Sequence, residues 1–273
     1  GTGATMARPD PDHERTTMTL GDALIVLVAG LGAGALTSSV GVASLVSFPV
    51  LVALGLPPVL ANMTNAVGLV PAGVGGGLGY REEVREHPRL NLLVLVLTGL
   101  SGLAGAALLL VLPPGVFELV APWLLLFTCA IVAVQPRLSR WLARRRESHG
   151  EGGDRVTLSP IAIGFTLLIG AYGGYFGAGA GVMMLALLAL SLDLDLRFLA
   201  AMRTTSMLAS KLTAAALFVV VAEIDWLAAG MLALGSVFGG YAGARVARLL
   251  PDPVLRGAVI VAGVAAAAYL FVA

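Results

Sequence analysis

Two apolar stretches, residues 21–56 and 160–191, are too long to cross a bilayer once and too apolar to sit in water. As straight α-helices they would extend roughly 50 Å, against the ~30 Å of hydrocarbon that one span must cover. Six further apolar segments, 58–80, 90–112, 117–134, 197–221, 226–244 and 254–273, have a length suited to one crossing. Charge or proline separates them all. Only 12% of residues are charged and 58% are apolar, where a soluble domain carries about 25% charge. One core in a chain of 273 residues cannot hide that much apolar surface, so the bilayer is the solvent. The fold class is an all-α polytopic membrane protein.

Both long stretches carry glycine and small polar residues near their middles. The first reads Gly30-Leu-Gly-Ala-Gly34, then Thr37, Ser38, Ser39 and Gly41; the second reads Gly170-Ala-Tyr-Gly-Gly174, then Gly177, Gly179 and Gly181. Glycine permits backbone breaks and close helix approach. Each stretch therefore reads as a broken helix or re-entrant hairpin, with Gly34, Ser38, Ser39, Gly174, Gly177 and Gly179 as hinge candidates. A single tilted helix with glycines for packing is the plainer reading of the same residues. The Gly73/Gly77, Gly75/Gly79, Gly235/Gly239 and Gly239/Gly243 pairs read as packing surfaces, and could also serve a homodimer contact.

The chain divides at a basic linker. Residues 1–19 form a polar tail, 20–134 a first transmembrane half, 135–159 a linker with six arginines, and 160–273 a second half. The halves correspond at an offset of 138–140 residues: Ala61-Asn-Met-Thr-Asn65 over Ala201-Met-Arg-Thr-Thr205, and Gly105 and Pro113 over Gly243 and Pro251. Duplicated halves with interrupted helices in matching places point to a secondary transporter with its site at the repeat interface. If both long stretches return to the face they left, thirteen arginines lie inside and two outside; eight simple crossings give eleven against four. The second half decides, because its four flanking arginines are all inside in one arrangement and all outside in the other. The hairpin reading wins in the second half and the first half stays open, because the tail is nearly charge-balanced; on that basis the halves are expected to be inverted repeats. Trp123, Trp141 and Trp226 lie near segment edges as interface anchors.

Little in the sequence supports catalysis. The histidines, His13, His87 and His149, fall in polar regions, and no metal-ligand set, Ser-His-Asp set or Walker A motif can be placed within the membrane. No cofactor is called for. A net charge of +1 argues against nucleic acid as a partner. Cys129 is the one cysteine and reads as a small buried hydrophobe.

What stands out is a short intramembrane polar inventory in equivalent repeat positions: Asn62, Thr64 and Asn65 in the first half, and Arg203, Thr204, Thr205, Ser206, Ser210 and Lys211 in the second. Lys211 lies about fourteen residues into its segment, roughly 20 Å along a helix. A buried cation needs a compensating anion. The carboxylates Asp22, Glu118, Asp193, Asp195, Glu223 and Asp225 all lie at or near segment ends. A transported anion is then the expected counter-charge, with these nine residues as substrate-binding candidates and broken-helix ends adding N–H donors. The blander alternative has Arg203 anchored at the interface and Lys211 paired with Glu223 or Asp225. No buried carboxylate or histidine marks a proton path, so the coupling ion is open.

The second half resembles the sulfite exporter family TauE/SafE. The likeness runs through the glycine-rich break, Arg203-Thr-Thr-Ser206 with Lys211, Ile224-Asp-Trp226, Gly235-Ser-Val-Phe-Gly-Gly-Tyr-Ala-Gly243, and Leu249-Leu-Pro-Asp-Pro-Val-Leu-Arg256. The first half is similar more loosely, through Pro49, Ala61–Asn65 and Gly105 to Pro113. Met202-Arg203 departs from the small residue and glycine common there in the family, adding a cation. The resemblance implies an inner-membrane permease for sulfite, an organosulfonate or another sulfur-containing organic acid. A passive anion channel and a non-transporting membrane scaffold are the alternatives from other classes.

Overall fold

The computed structural model describes residues 19–39, 41–149, 155–246 and 252–272. Among them the chain forms eleven α-helices and no strand. They are α1 (Leu20–Ser39), α2 (Ser44–Ala53), α3 (Pro58–Gly68), α4 (Val70–Gly79), α5 (Pro88–Val111), α6 (Pro114–His149), α7 (Pro160–Tyr175), α8 (Ala180–Ser191), α9 (Leu196–Val221), α10 (Trp226–Val246) and α11 (Asp252–Val272). Four of the described helices, α1, α5, α6 and α9, are long and apolar enough to cross a membrane. Residues 1–18 of the tail and 150–154 of the linker lie outside the described residues.

Local sequence sets most boundaries. Proline at the first turn starts α3, α5 and α7, where its missing N–H costs nothing. At α1, Thr19 and Asp22 form a reciprocal cap: the Thr19 N–H donates to Asp22 Oδ2 at 2.9 Å and the Asp22 N–H to Thr19 Oγ1 at 3.2 Å. Ser159 caps α7 by accepting from the Ala162 N–H, and Asp195 caps α9 by accepting from the Arg197 N–H. The stretch 21–56 is shared by α1 and α2, with Gly41 at φ +79° between them. The stretch 160–191 is shared by α7 and α8, with Gly177 at +82° and Gly179 at +77°.

Two segments differ from the expected single spans. The stretch 58–80 is two short helices meeting at Leu69, because Pro71 at the start of α4 cannot donate into the preceding turn. In α6 the helix runs on through Pro122 and Pro136 into the basic linker as far as His149.

The helices interlock across the halves. In the first half α1 packs along α10 of the second, and α5 packs along α7; α2 touches α11, and α8 touches α6. Glycine lets the backbones meet. A methyl on Gly34 would strike the Ser236 carbonyl, on Gly235 the Leu27 carbonyl and on Gly239 the Leu31 carbonyl. On the other side Gly105 faces the Ala171 carbonyl and Gly174 the Gly102 carbonyl in the same way. Helices in lipid gain no hydrophobic drive from meeting each other, so this close packing is what holds them. Cys129 is buried and free, and its Sγ lies 2.6 Å from where a Gly263 side chain would begin. Under the two breaks, Phe48 of α2 meets Phe176 and Phe117 edge-on, with ring centroids 5.4 and 6.2 Å away.

Candidate functional site

Where α1 gives way to α2, and α7 to α8, the two breaks face each other. A methyl on Gly181 would lie 3.6 Å from the Gly41 carbonyl oxygen. Between them is a cavity of about 70 Å³, lined by Thr37, Gly41, Ala43 and Ser44 from the first break and Gly173, Gly177, Ala180 and Gly181 from the second. That is room for roughly five waters or one small anion. Leu69 at the kink and Gly73 inside α4 line a further part, and α9 supplies Arg203, Thr204, Met207, Leu208 and Lys211.

Each cation sits at a different break. The Arg203 guanidinium lies against Gly41: a methyl there would be 3.3 Å from Nη1 and 3.7 Å from Cζ. The Lys211 ammonium donates to Ser44 Oγ at 3.4 Å and lies beside Gly177, whose methyl would be 3.7 Å from Nζ. Among the described residues the one ion pair, Arg155 with Asp193, is elsewhere, and no carboxylate lines the cavity. The expected alternative partners of Lys211, Glu223 and Asp225, make no ion pair with it.

Backbone adds to the positive field. Both α2 and α8 begin at the cavity wall, and neither first turn is capped by a side chain. Helix starts carry a partial positive charge, here with the Leu45, Val46, Ala180 and Val182 N–H groups already bonded to the Val42, Ala43, Gly177 and Gly179 carbonyls. Two side-chain cations and two helix starts converge on one small space, an arrangement suited to holding an oxoanion. No group of three His, Cys, Asp or Glu side chains that could hold a metal gathers among the described residues.

Comparison with known proteins gives this geometry a family. The family model described as sulfite exporter TauE/SafE matches residues 26–270. The chain belongs to the TauE/SafE family. It is a multi-pass membrane transporter of that family. A protein of Haemophilus influenzae named "Probable membrane transporter protein" is 23% identical over 87% of this chain and 89% of its own length. A Sinorhizobium protein named "Probable membrane transporter protein ORF9" is 24% identical over 89% of each chain. No solved structure matches.

In this TauE/SafE chain the nine sequence candidates divide into two groups. Arg203, Thr204 and Lys211 line the cavity. The other six are not among its lining residues and make hydrogen bonds within the helix bundle. Asn62, 2% exposed, donates to the Tyr175 carbonyl at the end of α7 at 2.8 Å. Thr64 accepts from the Asp225 N–H at 3.3 Å, and Asn65 accepts from Ser47 Oγ at 2.5 Å. Thr205 donates to Asn91 Oδ1, Ser206 to the Arg203 carbonyl and Ser210 to the Gly170 carbonyl, each at 2.9 Å. Among the hinge candidates, Gly177 and Gly179 lie in the second break, whereas Gly34 and Gly174 lie inside helices at close crossings. Ser38 and Ser39 close α1, and their side chains are outside the described residues.

Sequence reasoning passed over Ser44 and did not rank Gly41 among its hinges. Gly41 had a signal, since it stands one repeat offset before Gly179 and Gly181. Thr128 and Tyr172 had none. Both hydroxyls donate to the Ala178 carbonyl, at 3.1 and 2.6 Å, and tie down the second break.

Proposed function

We propose that the protein is a secondary carrier for a small anion, sulfite or an organosulfonate or related sulfur-containing acid. The observation that carries this reading is the meeting of Arg203, Lys211 and two uncapped helix starts at one cavity that no carboxylate among the described residues lines. The anion supplies the missing counter-charge. Arg203 offers a planar fork of donors that suits an oxoanion; Lys211, Thr204 and Ser44 complete the polar wall. The six further candidates, Asn62, Thr64, Asn65, Thr205, Ser206 and Ser210, act through the scaffold that holds this wall. The cavity's ionisable groups are placed to hold charge, and the reading is transport without catalysis.

Alternating access is the proposed motion, between inverted repeats 20–134 and 160–273 joined by the linker 135–159, with 1–19 as a tail. Support comes from the packing. A two-fold relation that exchanges α1 with α7 and α5 with α10 turns the α1–α10 pair into the α7–α5 pair. The same relation exchanges α2–α11 with α8–α6. Each repeat then contributes one glycine-broken helix pair to a shared site. With the linker arginines facing the cytoplasm, the proposed location is the bacterial inner membrane.

The test is flux in proteoliposomes with labelled sulfite and sulfonates. Saturable counterflow is the expected result; unsaturable flux would instead indicate a channel, and no flux for any anion a scaffold. Lys211→Ala should lower uptake by roughly two orders of magnitude, as losing one partner of a desolvated charge pair costs about 2–5 kcal/mol. Unchanged uptake by folded variant protein would remove Lys211 from the site.

A further inference from the structure

The charge around the cavity also constrains how the empty protein can move. Arg203 keeps its proton at any physiological pH, so the site is cationic whenever it is vacant of anions. Arg203 lies against Gly41 of the first break and Lys211 against Gly177 of the second. The remaining polar side chains on the wall, Thr37, Ser44 and Thr204, are hydroxyls that cannot neutralise charge. No carboxylate on α1, α2, α4, α7, α8 or α9 lines the space.

Alternating access requires an intermediate in which both breaks close over the site and bulk water is excluded. With an oxoanion in place, that closure brings both cations and both helix starts onto a negative charge. Without one, the same closure confines like charges in a region of low dielectric, where an unpaired buried charge is strongly unfavourable. A ligand drives a conformational change only through its differential affinity for the two states. Here the differential is large, because the closed state needs the anion and the open state has water instead. A chain with an acidic residue on the wall could neutralise itself when empty; among the described residues this one has none there.

Resting on the carrier reading above, we propose that the protein is an anion exchanger. It reorients only with an anion between Arg203 and Lys211, so outward movement of one anion requires inward return of another. The coupling ion that the sequence leaves open is, on this account, a second anion.

The experiment uses the purified full chain in proteoliposomes loaded with ³⁵S-sulfite, with potassium and valinomycin clamping the membrane potential so that charge build-up does not limit efflux. Efflux is timed into buffer containing gluconate alone and into buffer containing sulfite. The expected result is efflux about tenfold faster, or more, with sulfite outside. Equal rates in the two buffers overturn obligate exchange and leave the carrier reading standing. Absence of flux in either buffer for sulfite and for organosulfonates loaded in the same way overturns the carrier reading, and this proposal with it.

Discussion

Gly41 illustrates how one residue serves both chain path and chemistry. Its φ of +79° is a conformation that an L side chain enters at a cost of about 1–2 kcal/mol. A methyl there would also press on Arg203 Nη1 at 3.3 Å. Gly41→Ala should therefore slow anion uptake by about tenfold, the equivalent of roughly 1.4 kcal/mol, as measured by initial rates in proteoliposomes. Gly55 is the control. Its φ is +93° but nothing lies within 4 Å of an added methyl, so Gly55→Ala should lower the melting temperature without changing the uptake rate of folded protein. Equal transport defects in both variants would mean that backbone strain alone, and not contact with Arg203, matters at Gly41. At this scale the two intramembrane cations were legible in the sequence, because charge is scarce enough for each one to stand out. The roles of the amides and hydroxyls were not. Asn62 and Lys211 look equally available on paper, yet Asn62 donates to Tyr175 across the fold, a partner more than a hundred positions away.

Elements were readable where length and proline spoke for themselves. The ~20-residue limit on a span singled out 21–56 and 160–191 as too long for one crossing, and each is carried by two helices. The kink at Leu69 was missed, since an apolar run of ordinary length gives no cue and only Pro71 marks the place. Glycine pairs announced close packing without naming the partner helix. Gly235 and Gly239 face the Leu27 and Leu31 carbonyls of α1, whereas Gly75 and Gly79 of α4 face open space. Gly239→Leu should thus separate α1 from α10, a cost of about 1–3 kcal/mol or more for forcing bulk into a closed contact. Gly79→Leu should leave stability nearly unchanged. Thermal unfolding in detergent measures both; a harmless Gly239→Leu would contradict the crossing.

At the scale of the whole molecule, charge asymmetry predicts the orientation in the membrane. Arg197 stands exposed near the start of α9, on the cytoplasmic side if the second half is inverted. Cys129, the one native cysteine, is buried, so a cysteine introduced by Arg197→Cys can be labelled against a quiet background. A membrane-impermeant maleimide should react only after the membrane is opened. Labelling of intact right-side-out vesicles would reject the inverted arrangement.

By itself the sequence determined the solvent, the two stretches too long for one crossing and the two charges without obvious partners. These follow from composition, length and local pattern, which act along the chain. Only the tertiary structure decided that α1 pairs with α10 and α5 with α7, and that Arg203 and Lys211 share a cavity with Gly41, Ser44 and Gly177. Helices in a bilayer choose partners by how closely their surfaces fit. That fit depends on every crossing at once and leaves no signature in any one segment.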